Sequence, residues 1–106
     1  MNSKDKKYIL AIDLGTSGPK VCLISTEFEV VGNEFEPTDL ILFDGGGAEQ
    51  DPNQWWNSIK AATKRLISKG LISIDDIEAI SVTAQWSGTV AVDEKGQSLM
   101  NSIIWM

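Results

Sequence analysis

The sequence predicts an α/β fold: a three-stranded meander, a helix, a further strand and an appended hairpin. Three observations carry this reading. Two apolar runs at 8–14 and 20–25 flank a short polar turn, as in a β-hairpin. Residues 51–70 combine a helix start signal, an apolar stripe of helical period and a glycine stop. Residues 79–84 are small or β-branched over the length of one strand.

The elements follow in order. After the first hairpin, residues 28–36 set Phe28, Val30 and Phe35 among Glu27, Glu29, Glu34 and Glu36, which predicts a third strand. Residues 37–51, with Pro37, Asp44 and Gly45 to Gly47, read as a loop with a short strand at 40–43. Asp51 suits an N-cap, Pro52 suits the first helical position, and Gln54 stands where a capping box places its third residue. Trp55, Ile59, Ala62 and Leu66 then form one stripe, which predicts their burial. Lys60, Lys64, Arg65 and Lys69 read as a solvated face that favours the negative helix end, and Gly70 ends the helix.

Ser73 is the expected cap of a single turn over 73–77, with Asp76 at its capping-box position. The strand at 79–84 has the composition of one buried in the middle of a sheet. Residues 89–93 and 98–105 complete the hairpin around Asp93 to Gly96. The order β-β-β-α-β with a hairpin matches the first half of an RNase H-like domain.

The first turn carries chemistry. Asp13 stands at the end of the first strand, Gly15 and Gly18 permit close approach of backbone to an anion, and Thr16, Ser17 and Lys20 add donors. A plain polar turn also favours glycine, threonine and serine, but has no need of Asp13 or Lys20. A Walker A loop and a dinucleotide fingerprint both run from strand into helix. Here Val21 to Ile24 continue as strand, and neither motif is present. The turn reads as a site for a nucleotide with a metal.

Asp13-Leu14-Gly15-Thr16-Ser17-Gly18-Pro19-Lys20 resembles the first phosphate motif, D-x-G-T-x-x-x-[KR], of the actin-like ATPase superfamily. Glu49-Gln50-Asp51-Pro52 with Trp55-Trp56 resembles the first helix start of the FGGY carbohydrate kinases. Ile80 to Gln85, Gly88, Val92-Asp93, Gly96 and Ile103-Ile104-Trp105 resemble that family's next segment, nearest to its xylulokinase-like branch. The similarity covers nearly all of 8–106. It implies that residues 1–106 are the amino-terminal part of the first kinase domain, with the second domain absent; the apolar end at Ser102 to Met106 supports that expectation.

The resemblance implies ATP and Mg2+ as cofactors and a sugar or polyol as the phosphoryl acceptor. Asp13 would hold magnesium through water, Thr16 and Ser17 would face the phosphates, Lys20 would lie near the transferring group, and Gly15 and Gly18 would shape the turn. Gln85, Trp86 and Ser87 would contact the acceptor. Xylulokinases usually carry Met-His, and glycerol kinases Arg-Glu, where this chain has Trp86-Ser87. The general base would lie downstream, so the isolated chain is expected to be inactive. The full-length protein is expected in the cytoplasm, as a homodimer. The alternative is a non-catalytic, actin-like nucleotide-binding module.

Composition bounds the remaining classes. A net charge of −6 disfavours a nucleic-acid partner. A two-metal nuclease of the same fold needs acids at the end of the fourth strand, where Thr83-Ala84-Gln85-Trp86 has none. The basic start, Met1 to Lys7, is followed by an apolar run that Asp13 interrupts too soon for a signal peptide. No apolar stretch has membrane-spanning length. Cys22, the single cysteine, reads as a buried reduced thiol, and Trp55, Trp56 and Trp105 as packing residues.

Overall fold

The computed structural model describes residues 6–106; residues 1–5, the first part of the basic start Met1 to Lys7, lie outside the described residues. The elements are β1 (Tyr8–Gly15), β2 (Gly18–Ser25), β3 (Val30–Phe35), β4 (Ile41–Leu42), β5 (Ala48–Gln50), α1 (Pro52–Ser68), β6 (Ile77–Ala84) and β7 (Ser102–Ile103). A four-stranded sheet has the order β3-β2-β1-β6, and a small sheet the order β4-β5-β7. β1 pairs antiparallel with β2 and parallel with β6.

Alternation along the strands builds the core. Leu10 and Ile12 pair with Leu23 and Val21 on one face of the sheet, and Ala62 and Leu66 of α1 close over them. These six are the buried apolar cluster, with Val31, Ile59, Ile72 and Ile77 packed around it. Of the predicted helical stripe, Ala62 and Leu66 are buried and Trp55 and Ile59 are half-buried.

Helix α1 begins as expected: the Asp51 carboxylate accepts the Asn53 N–H at 2.9 Å, with Pro52 in the first turn. The capping box does not form. The Gln54 amide instead accepts the Asp39 N–H at 2.9 Å and donates to the Asp39 carboxylate at 3.1 Å, which anchors the preceding loop. At the other end Gly70, with φ +65, turns its N–H back to the Ile67 carbonyl, a conformation that costs glycine little. The 3₁₀ turn Ile74–Asp76 has Ser73 as its cap, but Asp76 turns to Lys7 at 3.4 Å rather than back to that cap.

The basic cluster of α1 is more than a solvated face. Arg65 donates to the Glu36 carboxylate at 2.6 Å and to the Phe35 carbonyl at 2.9 Å, and Arg65 and Lys69 both reach Glu34. These contacts hold α1 to β3 and its exit. The hydrogen bond to Glu36 chiefly, with the field of both glutamates, holds the Arg65 guanidinium above its ordinary pKa.

Four other expectations need correction. The third strand starts at Val30, not 28, because Phe28 takes φ +68 in a turn where the Ser25 hydroxyl accepts the N–H groups of Glu27 and Glu29. The loop at 37–51 contains β5 as well as a short strand at 41–42. The appended hairpin turns at Asp93 to Gly96 but closes through single bridges, Thr89 to Ile103 and Val92 to Ser98. Its second arm spends its strand pairing on β5, through Ser102 and Ile103.

Strand β6 is not buried. It lies at the edge of the sheet, and Ile80 and Val82 are 65% and 63% exposed, because α1 packs over β2 and β3 and leaves β6 uncovered. An apolar groove of about 490 Å³ runs there, between Trp56 and Ile59 of α1 and Ile80 and Val82 of β6.

Candidate functional site

The parallel pairing of β1 with β6 brings two loops to the same end of the sheet. One is the turn between β1 and β2; the other is the segment from Gln85 to Gly88 that leaves β6. The Gln85 N–H donates to the Leu14 carbonyl at 2.9 Å, which carries the pairing one step past β6. Every predicted site residue is therefore at one edge.

Asp13 and Lys20 are register partners across β1 and β2, and Thr83 of β6 is the partner of Asp13 on its other side. Cross-strand partners share a face, so these three line the face opposite α1. With Cys22 and Ser81 they border a cavity of about 180 Å³. Asp13, Ser17 and Lys20 are exposed, Thr16 is half-buried, and among the described residues Asp13 and Lys20 form no ion pair. Cys22 is only half-buried, and its partial burial raises its thiol pKa above the ordinary value.

The turn is held from behind. Gly18 has φ +141, and a Cβ on it would run into the Glu36 carbonyl oxygen and stand 2.9 Å from the Pro37 Cα. Only glycine lets the start of β2 pass the exit of β3. The Ser17 carbonyl accepts the Thr38 N–H at 3.0 Å, and the Thr16 carbonyl accepts the Gln50 amide at 2.7 Å. A trans peptide sets the following N–H opposite its C=O, so the Ser17 N–H is turned away from Gln50.

Gln50 is the residue that sequence reasoning leaves out of the site. It is fully buried, and its Oε1 accepts Trp55 Nε1 at 3.1 Å and Gln85 Nε2 at 2.9 Å. Thr16 Oγ1 donates to Gln85 Oε1 at 3.3 Å. Trp55 is thus a hydrogen-bond donor into the site as well as a packing residue. The available signal is Gln50-Asp51-Pro52-x-x-Trp55, which reads first as a helix start.

Trp86 is 72% and Trp105 56% exposed, with ring centroids 6.4 Å apart and planes inclined at 58°. Trp105 and the 59%-exposed Trp56, with Lys60 Nζ 5.7 Å from its ring centroid, are therefore not core residues among the described contacts. Ser87 takes a left-handed φ of +59, which costs a non-glycine residue about 1 kcal/mol and marks the loop as constrained. No group of three or more metal-ligating side chains occurs among the described residues.

The β1–β2 turn and the loop that leaves β6 thus meet at one end of the four-stranded sheet. Residues 8–106 match the model of the FGGY family of carbohydrate kinases, N-terminal domain, and the chain belongs to that family. It is 35% identical over 100 residues to a xylulose kinase of Staphylococcus epidermidis, covering 94% of this chain and 20% of that protein. A glycerol kinase of Listeria monocytogenes is 38% identical over 102 residues, covering 95% and 20%. The crystal structure of a xylulose kinase from Brucella ovis superposes with a TM-score of 0.87 at 31% identity, covering 92% and 20%. The chain thus spans 20% of the length of these relatives. No helix among the described residues is long and apolar enough to cross a membrane.

Proposed function

We propose that the protein carrying this chain transfers the terminal phosphoryl group of ATP to a hydroxyl of a sugar or polyol. The observation that carries the reading is the hydrogen-bonded junction of the Thr16 turn with the Gln85 loop. Phosphoryl transfer requires donor phosphate and acceptor hydroxyl at fixed mutual geometry, and these loops supply one side of each subsite.

In this reading Lys20, the Thr16 and Ser17 hydroxyls and the turn backbone meet the phosphates. Asp13 fits a magnesium ion held through water, since magnesium keeps most of its hydration and takes one or two carboxylates beside the phosphates. An exposed carboxylate outside any ion pair among the described residues suits that role, and the ion would neutralise charge on the phosphates. Gln85 and Ser87 offer polar contacts to the acceptor, and Trp86 offers a ring face. The exposed Trp86 where xylulokinases usually carry methionine leaves the acceptor class open. Use of ATP as donor is in keeping with a cytoplasmic protein.

A screen of the full-length protein against ketopentoses, ketohexoses, aldonates and polyols tests this. One acceptor class is expected to be phosphorylated in an ATP- and magnesium-dependent way. The isolated 106 residues are expected to show no turnover, and turnover by them would overturn the division of labour.

A further inference from the structure

Gln50 is fully buried, and three elements of the site meet on its amide. Its Nε2 donates to the Thr16 carbonyl at 2.7 Å, and its Oε1 accepts Gln85 Nε2 at 2.9 Å and Trp55 Nε1 at 3.1 Å. Thr16 Oγ1 donates in turn to Gln85 Oε1 at 3.3 Å. Thr16, Gln50 and Gln85 form a closed ring of hydrogen bonds, tied by Trp55 to α1.

The direction of every bond in the ring follows from two groups that cannot change roles. Indole nitrogen only donates and a backbone carbonyl only accepts. Gln50 must therefore turn Oε1 toward Trp55 and Nε2 toward Thr16. Its oxygen then takes the Gln85 amide N–H, and the Gln85 oxygen is left to accept the Thr16 hydroxyl. Rotating the Gln50 amide by half a turn would set donor against donor at Trp55, and rotating the Gln85 amide would set its oxygen against Gln50 Oε1. Buried at 0% exposure, Gln50 has no water to replace a lost partner.

We infer that Gln50 is a positioning residue, which couples the phosphate turn at Thr16 to the acceptor loop at Gln85 and sets their spacing. It holds Thr16 by the carbonyl and not by the hydroxyl, whose proton stays on the 3.3 Å bond to Gln85 Oε1. The longest bond of the ring is the one an incoming anion would compete for. When the Thr16 proton turns to a phosphate oxygen, Gln85 Oε1 is freed to accept a hydroxyl, so occupancy of the turn is felt at the acceptor loop. The catalytic consequence rests on the kinase reading; the coupling of the two loops does not.

The test uses the full-length protein with 15N-labelled tryptophan, and the variants Gln50→Leu, Gln50→Glu, Gln85→Leu and the double Gln50→Leu/Gln85→Leu. The Trp55 indole resonance, assigned with Trp55→Phe, should move in Gln85→Leu although no hydrogen bond joins Gln85 to Trp55. Gln50→Leu should lower kcat by roughly tenfold to a hundredfold, as expected of misplaced reacting groups, with KM for ATP and acceptor changed much less. In kcat at saturating acceptor, where Gln85's own contact to the acceptor enters KM instead, the double variant should lose no more than about twofold beyond Gln50→Leu, because both substitutions break one ring. Gln50→Glu keeps acceptors for Trp55 and Gln85 but opposes an oxygen to the Thr16 carbonyl. It should keep the indole resonance near its place and lose turnover as Gln50→Leu does.

Additive losses, a folded Gln50→Leu within about twofold of wild type in kcat and KM, or an indole unmoved by Gln85→Leu would each overturn the inference. Should Gln50→Leu not fold, Gln85→Leu at its half-exposed position decides through the indole alone. A wild type that phosphorylates no acceptor removes the kinase reading, and the indole readout still judges the coupling.

Discussion

Asp13 and Lys20 stand opposite one another across β1 and β2, as register partners on the face away from α1, and no ion pair among the described residues joins them. A carboxylate and an ammonium held side by side by the backbone, each exposed, can serve a third, anionic group without first breaking a bond to each other. Asp13→Ala in the full-length protein should therefore cost on the order of a hundredfold or more in turnover. Acceptor affinity by calorimetry should be unchanged, because the carboxylate is assigned to the metal and phosphates. Loss of acceptor affinity with ATP affinity preserved would reverse that assignment.

Gly18→Ala should destabilise the fold rather than tune the site. The new Cβ would strike the Glu36 carbonyl, which is backbone and cannot rotate away, at a φ of +141 that alanine also disfavours. A loss of roughly 1–3 kcal/mol is expected, the range of steric substitutions in a packed interior. Urea unfolding of wild type and variant measures it; a midpoint shift equivalent to under about 0.5 kcal/mol would show that β2 and the exit of β3 can move apart.

Cys22 gives a pH signature. Burial raises its thiol pKa above the ordinary value, so the folded protein retains the thiol proton longer than the unfolded chain does. The contribution is complete below the ordinary thiol pKa and is lost as pH rises through the higher folded value. Stability should thus fall more steeply with alkaline pH in wild type than in Cys22→Ser. Alkylation by iodoacetamide near pH 8 should be slower in the folded protein than in urea. Equal alkylation rates would contradict the shift.

The β1–turn–β2 hairpin, the Asp51-Pro52 helix start and the Gly70 stop are legible in the sequence because each depends on residues within a few positions of one another. β5 is not. Ala48-Glu49-Gln50 has no strand pattern of its own and becomes strand through pairing with Ile41, Leu42, Ser102 and Ile103. The composition of β6 suits a strand buried on both sides, yet covering it is a tertiary matter that no local signal reports. The same holds for Gln50: sequence reads it as the neighbour of a helix cap, and only the closure of β5, α1 and the Gln85 loop makes it a centre. Gln54 and Asp76 show the converse, since each fits a capping pattern and is drawn off by a partner distant in sequence, Asp39 and Lys7.

Trp86 separates an acceptor platform from a packing aromatic. Its side chain is 72% exposed and touches the tilted ring of Trp105, so little apolar area would be lost on truncation. Trp86→Ala should leave the unfolding midpoint within the small range typical of surface substitutions, about 0.5 kcal/mol. A sugar face stacked on the indole would be worth about 0.5–1.5 kcal/mol, so KM for the acceptor should rise roughly twofold to tenfold while KM for ATP stays unchanged. Trp86→Phe, which keeps a ring face but not the N–H donor, should recover most of that loss if stacking dominates, and little of it if the N–H is what the acceptor uses. A large fall in stability with unchanged acceptor KM would instead make Trp86 part of a packed surface.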